Sequence, residues 1–253
     1  MMEKISVLII TFNEEKNIRR CLDSLNDVAD EIVVIDSFST DRTEEICKNY
    51  NVRFLKQKFL GYIEQKNYAL QYAKFNFILS LDADESLSEE LIKSILEEKK
   101  NFKNDAYTMN RFTNYCGKWI KHSGWYPDKK LRLFKKSTGK WGGINPHDKF
   151  VQNIKTNAVH LKGNILHYSY YNIEEHLKRV QDFSDIAAKA LYEKGKKANT
   201  FKIIFSTFLK FIRNYFIFCG FLDGRSGYII CKLTARTTYL KYLKLKNLNK
   251  KRE

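Results

Sequence analysis

The chain of 253 residues has no CxxC pair: its five cysteines, Cys21, Cys47, Cys116, Cys219 and Cys231, are odd in number and widely spaced. That removes a zinc ribbon and a disulfide framework and predicts reduced thiols. No Gly-rich phosphate loop follows the first apolar run, so the usual signature of a nucleoside triphosphate enzyme is absent. The most apolar stretch, residues 201–222, is broken by Lys202, Lys210 and Arg213, whereas a membrane span needs about 20 largely uncharged residues. The N-terminal apolar stretch is only strand length and is followed by acids, so no signal peptide is expected. Internal repeats and low-complexity linkers are also missing. Proline occurs only twice, at Pro127 and Pro146, near Gly117, Gly124, Gly139, Gly142 and Gly143; that cluster of breakers predicts antiparallel strands and loops.

What the chain does have is apolar content of 43% with 14% aromatic residues, enough for a packed core. Its charge is lopsided. Residues 1–100 hold 14 Lys and Arg against 19 Asp and Glu, and the remainder holds 31 against 10. The acidic front suits a metal site; the basic back suits anionic lipid, a phosphorylated glycan or nucleic acid, or is simply a solvated lysine-rich surface.

Four cycles of strand and helix open the chain. Ile5 to Ile10, Glu31 to Ile35, Val52 to Leu55 and Phe77 to Leu81 read as short buried strands. Between them, Ile18, Cys21, Leu22 and Leu25 recur at helical spacing, Ser39-Thr40-Asp41 can cap a helix reaching Tyr50, and Tyr62 to Ala73 reads as a third helix. Such alternation predicts a parallel sheet covered on both faces, with ligands beyond the carboxyl ends of the strands. Polar clusters stand at three of those ends: Thr11-Phe12-Asn13-Glu14, Asp36-Ser37, and Asp82-Ala83-Asp84-Glu85. Helical periodicity returns over Ile173 to Glu193.

Asp82 and Asp84 bracket one residue at a strand exit, a spacing that can hold a hard divalent cation and leave positions for water and diphosphate oxygens. Asp36 can accept hydrogen bonds from a base or ribose; Asp41 reads as a helix N-cap, and Thr11 and Glu14 serve either as caps or as ligand contacts. Trp119, Trp125, Tyr126 and Trp141, mixed with Lys118, Lys121, Lys129, Lys130 and Arg132, read either as one acceptor surface, with faces for sugar rings and charges for phosphates and chemistry that single-stranded nucleic acid shares, or as core aromatics. His122, His160, His167 and His176 lack metal-type spacing and read as structural. Residues 201–222 fit either an amphipathic segment lying in a membrane interface or a helical hairpin covering the core.

The strings ISVLIITFNEEKNIRRCLDSL, EIVVIDSFSTDRTEEI, GYIEQKNYAL and FILSLDADE, in that order, resemble the family 2 glycosyltransferases of GT-A fold over residues 4 to about 90. The resemblance implies that Thr11, Asn13, Glu14 and Asp36 contact the nucleotide and that Asp82 and Asp84 hold Mg2+ or Mn2+ on the diphosphate. It places Lys66 where many relatives carry Arg, as a point charge for phosphate. GWYPDKKLRLF, WGGINPHDKF, YNIEEHLKR and RNYFIFCGFLDGRSGY are similar to the bacterial lipopolysaccharide core β-glycosyltransferases, with His147-Asp148 where that branch has His-Glu. By this resemblance Asp148, in a Gly- and Pro-bounded loop, is the general base, with His147 orienting it or serving in its place.

The resulting expectation is a GT-A α/β domain over 1–168, with a nucleotide-sugar and metal half (1–104) and an acceptor half (105–168). A basic, aromatic helical extension (169–253) follows, peripheral on the inner face of the cytoplasmic membrane. The expected reaction is metal-assisted, inverting transfer of a hexose, glucose from UDP-glucose, to a lipid-linked inner-core lipopolysaccharide acceptor at an anionic leaflet. A nucleotidyltransferase of similar fold and a non-catalytic membrane or RNA adaptor are the alternatives. The intact set of rim acids disfavours the adaptor, and no nucleic-acid partner is expected.

Overall fold

The β-branched run Ile5–Thr11 forms β1, and its alternation puts Val7 and Ile9 into one apolar cluster and Leu8 and Ile10 into another. A strand apolar on both faces needs cover on both, and the chain supplies it by alternating α1 (Ile18–Asp23), β2 (Glu31–Asp36), α2 (Thr43–Cys47), β3 (Arg53–Lys56), α3 (Tyr62–Tyr72) and β4 (Phe77–Asp82). The computed structural model describes residues 3–145, 147–153 and 158–250, with the backbone alone at His147. β1 pairs in parallel with β2 and β4, and β2 with β3, giving the order β3-β2-β1-β4. The expected Ser39-to-Tyr50 helix is reduced to Thr43–Cys47: Asp41 accepts Thr43 N at its start, and at its end Asn49 N and Tyr50 N bond three residues back to Ile46 O and Cys47 O, so those residues form turns.

The next elements are β5 (Glu85–Leu87), α4 (Glu89–Lys99), β6 (Ala106–Tyr115), β7 (Lys118–Trp119), β8 (Asp128–Lys135), β9 (Gly139–Ile144), β10 (His147–Gln152) and β11 (Val159–Tyr170). β8 runs antiparallel to β4 and β6, and the sheet continues β8-β6-β11-β5. α1, α2 and α4 cover one face through Ile18, Leu22, Ile46, Leu91 and Ile95. The other face is covered by Ala69 and Leu70 of α3 and by Trp141 and Phe150 of the β9–β10 hairpin. This mostly parallel sheet with an antiparallel continuation is the GT-A α/β arrangement.

The chain divides into two compact units, Met1–Arg111 with Asp128–Tyr168, and Phe112–Pro127 with Ser169–Glu253. The second unit holds α5 (Ile173–Glu193), α6 (Thr200–Ile212) and α7 (Gly224–Lys250). Asn172 and Asn199 cap the first two of these helices, accepting from Glu175 N and Lys202 N at 2.8 Å each. Such caps satisfy backbone donors that a helix start leaves unpaired. Among the described residues no single helix is long and apolar enough to cross a membrane.

Candidate active site

Strand register brings the three polar clusters to one rim of the first unit. Thr11 stands opposite Asp36 in the β1–β2 pair and Ile10 opposite Asp82 in the β1–β4 pair, so all three strands end level. The loops after β1 and β2 are laced together. Asn13 N donates to Ser39 Oγ at 2.8 Å, Thr40 N to Asn13 Oδ1 at 2.8 Å, and Glu14 N to Thr43 Oγ1 at 2.8 Å. Asp36 is fully buried, and its two carboxylate oxygens accept from Ser39 N and Ser39 Oγ. Glu14 accepts Asn17 N at the start of α1 and Asn17 Nδ2 through its carboxylate. Asn13, Glu14 and Asp36 thus shape the loops. Thr11 differs: its buried Oγ1 has no hydrogen-bond partner among the described residues.

Two phenylalanines at the same rim carry no mark in the sequence that would single them out as ligand contacts. Phe12 and Phe38 are both more than half exposed, and Phe38 holds a left-handed backbone with φ of 63°. Non-glycine residues seldom occupy that region, and a large ring left in water there is a platform for a planar ligand.

Behind the rim runs an alternating chain of charge: Asp148, Lys66, Asp82, Arg132, Glu85, Arg111, Asp128. Lys66 Nζ lies 2.8 Å from Asp148 Oδ2 and 3.0 Å from Asp82 Oδ1; Arg132 Nη2 lies 2.8 Å from Asp82 Oδ2 and 3.0 Å from Glu85 Oε1. Arg111 continues it, 3.6 Å from Glu85 and 2.9 Å from Asp128. Lys66, Arg132 and Glu85 are buried, and burying such charges singly would be prohibitive. Their alternation compensates it. Burial alone would raise the Asp82 carboxyl, but the Lys66 and Arg132 charges outweigh burial and hold it well below the usual carboxylate range. Arg132 answers in kind: burial would lower it, and Glu85 and Asp82 push it further up.

Asp82 Oδ1 makes an ion pair with Lys66 but no aligned hydrogen bond, and Arg132 Nη1 and Trp141 Nε1 are likewise buried without a hydrogen-bond partner among the described residues. With Thr11 Oγ1 they account for all but one of the buried side-chain atoms in that state; the other is Ser123 Oγ. Unmet polar groups of this kind normally find a partner; Arg132 Nη1 and, beside Lys66, Trp141 Nε1 lie along the charge chain, and Thr11 Oγ1 lies at the rim opposite Asp36, where a polar ligand would supply partners.

The hairpin that carries Asp148 is held by α3. Asn67 Nδ2 donates to Trp141 O and Asn67 Oδ1 accepts Trp141 N, each at 2.9 Å. Asn145 Oδ1 accepts Ile63 N, capping α3 where Gly61 offers no side chain. A Cβ on Gly61 would stand 2.3 Å from Asn145 Nδ2, and its φ of 147° already favours glycine. Asp148 itself is in β10, opposite Gly143, and not in the loop expected. Trp141 and Phe150 stand opposite each other in the β9–β10 pair and both pack on Phe134, which makes the segment a hairpin strand. His147 pairs with Ile144 through its backbone; its side chain lies outside the described residues.

Asp84 points to a second group. In the β11–β5 pair His167 stands opposite Glu85, and Tyr168 N donates to Asp84 O. That register places His167 Nε2 3.2 Å from Asp84 Oδ2. Ligands about 2.1 Å from an octahedral cation and at right angles to one another are separated by about 3 Å, so this oxygen and nitrogen fit adjacent positions around a divalent ion. Among the described residues no three His, Cys, Asp or Glu side chains are gathered as a metal site. A cation here therefore needs oxygens of the ligand as well. The sequence leaves His167 among the structural histidines, because nothing near it along the chain has metal spacing; its only signal there is its place on a strand.

The aromatic and basic residues read as one acceptor surface divide between the units. Trp141 and Arg132 are buried in the first, with the Trp141 ring 4.7 Å from Lys66 Nζ. Trp119 stacks on Phe112 in the second, and Phe112 packs against Tyr126.

The model of the glycosyl transferase family 2 matches residues 6–157. An uncharacterised glycosyltransferase of Rickettsia typhi is 31% identical over 99% of this chain and 89% of its own length. The lipopolysaccharide core biosynthesis glycosyltransferase LpsC of Rhizobium meliloti is 27% identical over 94% of this chain and 93% of its own. Among solved structures, residues 1–349 of S. aureus TarS in complex with UDP-GlcNAc align with a TM-score of 0.49 at 16% identity, over 99% of this chain and 92% of that one.

Proposed function

This chain belongs to glycosyl transferase family 2, and from that premise we propose that it transfers a hexose, glucose from UDP-glucose, with inversion onto a lipid-linked inner-core sugar of lipopolysaccharide. The likeness to LpsC supports the acceptor class. The observation that carries the chemistry is one buried lysine bridging Asp82 at the end of β4 and Asp148 on the β9–β10 hairpin.

In this reading the nucleotide enters at the loops after β1 and β2, with Phe12 or Phe38 against the base and Thr11 Oγ1 on the ribose or phosphate. Lys66 and Arg132 offer positive charge to the diphosphate, and Arg132 Nη1 gains the partner it lacks. Of the expected Asp82–Asp84 pair, Asp82 has both oxygens taken up by Lys66 and Arg132, so Asp84 with His167 in its place would hold Mg2+ or Mn2+, which when bound neutralises charge on the departing diphosphate. Asp82 fixes the two cations that face it. Asp148 takes the proton of the acceptor hydroxyl as that oxygen bonds to the anomeric carbon; the bond from that carbon to the diphosphate breaks on the opposite face, and UDP leaves. Lys66 holds Oδ2 of Asp148, so the acceptor proton is assigned to Oδ1.

The test is release of UDP from UDP-glucose in the presence of a heptose-containing lipid acceptor and Mn2+, with UDP-GlcNAc and UDP-galactose as competing donors. Release of UDP from another donor in preference would correct the sugar; consumption of a nucleoside triphosphate with release of pyrophosphate would replace the reading by nucleotidyl transfer.

A further inference from the structure

α6 turns its apolar side outward. Phe201, Ile204, Phe205, Phe208 and Leu209 recur at the spacing of one helical face, and every one is exposed, Phe201 by 73%. Only Ile203 of this helix is buried. A helix that covered a core would show the reverse, so of the two roles open to residues 201–222 the hairpin packed inward does not account for this face. The exposed run continues past the helix through Phe216, Ile217 and Leu222. Large contiguous apolar surfaces of this kind mark an interaction site.

Charge says what the partner is. From Lys194 to Lys250 there are 13 Lys and Arg and a single acid, Asp223. That acid is buried and occupied: it accepts from Lys121 N and His122 N and faces His122 Nδ1. Lys202 of α6 and Arg213 just after it follow one edge of the apolar face at helical spacing, and Arg213 lies over the Phe218 ring. Positive charge is crowded: burial, then Arg213 and Lys241, lower the Lys210 ammonium.

We infer that the outward face of α6 and of the turns after it is a docking surface for an anionic bilayer, with the helix lying in the headgroup plane. Apolar side chains on one side and Lys and Arg beside them are the makeup of such interfacial helices. A second copy of this chain is a poorer fit, since the same cations would be brought together. Nucleic acid is poorer too: the phenylalanines can stack on bases, but Ile204, Leu209, Ile217 and Leu222 between them are exposed aliphatic side chains that bases do not cover and acyl chains do. The axes of Thr200–Ile217 and Gly220–Lys250 bend by 71° at their junction, which suits an element lying on a surface better than a straight span. The purpose of the surface rests on the reading of a lipid-linked acceptor; its existence does not.

The experiment is co-sedimentation of the full chain with phosphatidylcholine vesicles, with and without phosphatidylglycerol, for the native sequence and for Phe205→Glu/Phe208→Glu. The native chain is expected to pellet with the anionic vesicles, and the double variant to bind about tenfold more weakly or worse, with unchanged thermal unfolding because both side chains are exposed. UDP release from the donor alone, without lipid, is expected to be equal in the two. No pelleting of the native chain, or equal pelleting of the variant, overturns the surface. So does a dimer that the substitutions split while vesicles go unbound, or RNA binding in place of vesicle binding. Vesicle binding without any UDP release supports the docking surface while the transferase reading fails.

Discussion

Lys66 Nζ lies 2.8 Å from Asp148 Oδ2, across 82 positions of sequence, and the same ammonium meets Asp82. One buried cation therefore joins the carboxylate assigned to the acceptor proton with the strand end assigned to the donor. Lys66→Met keeps most of the stem and removes the charge. It is expected to lower kcat about a hundredfold and to raise KM for the donor; steady-state UDP release checks it, and an unchanged kcat would show that the bridge has no part in turnover.

The pairing of Asp84 with His167 makes a prediction that does not depend on turnover. His167→Ala should weaken Mn2+ binding in the presence of UDP by about tenfold or more, read from the loss of the free-ion resonance in a paramagnetic titration. Equal Mn2+ affinity would remove His167 from the cation site.

The parallel half is legible in sequence because each element carries its own pattern. Ile5–Thr11, Glu31–Asp36 and Phe77–Asp82 are apolar runs with polar ends, and the rim they form follows from strands that end level. What cannot be read is anything set by register between distant strands. His167 comes to Asp84 only because β11 runs antiparallel to β5, and Arg132 reaches Asp82 only because β8 pairs with β4. Asp148 is legible as a candidate base, but its Gly- and Pro-rich surroundings read as a loop. Asp36, Asn13 and Glu14 are legible as rim residues, yet their side chains serve the loops first, since short polar groups near free backbone amides bond locally. The outward face of α6 has the periodicity of a buried helix, and periodicity alone does not say which side faces water.

Glu85 is the most enclosed acid of the charge chain, facing Arg132 and Arg111 and accepting Asp82 N. Glu85→Gln leaves the buried Arg132 and the half-buried Arg111 short of a counter-charge. It is expected to destabilise the protein by about 3–5 kcal/mol, seen as a lower urea midpoint; a shift within error would mean that solvent compensates the cluster.

Stability should also depend on His176, which is buried, lies 3.0 Å from Tyr115 Oη, and is pushed down to about 4 by burial and by Arg179. Below its unfolded value of about 6.5 the unfolded chain binds a proton that the native chain refuses until about pH 4. Stability contributed by the neutral ring is therefore complete above pH 6.5 and falls as pH drops toward 4, by about 3 kcal/mol in all. Urea midpoints at pH 7, 5.5 and 4.5 test this. His176→Gln should flatten that slope, and an equal slope in the variant would assign it to other groups.

The central claim is that Asp148 takes the acceptor proton while the donor is held by other residues. Asp148→Asn preserves shape and removes the base, so UDP-glucose affinity, measured by calorimetry with Mn2+, is expected to stay within about threefold while acceptor-dependent UDP release falls about a thousandfold. Turnover retained in that variant, with donor affinity intact, would contradict the account.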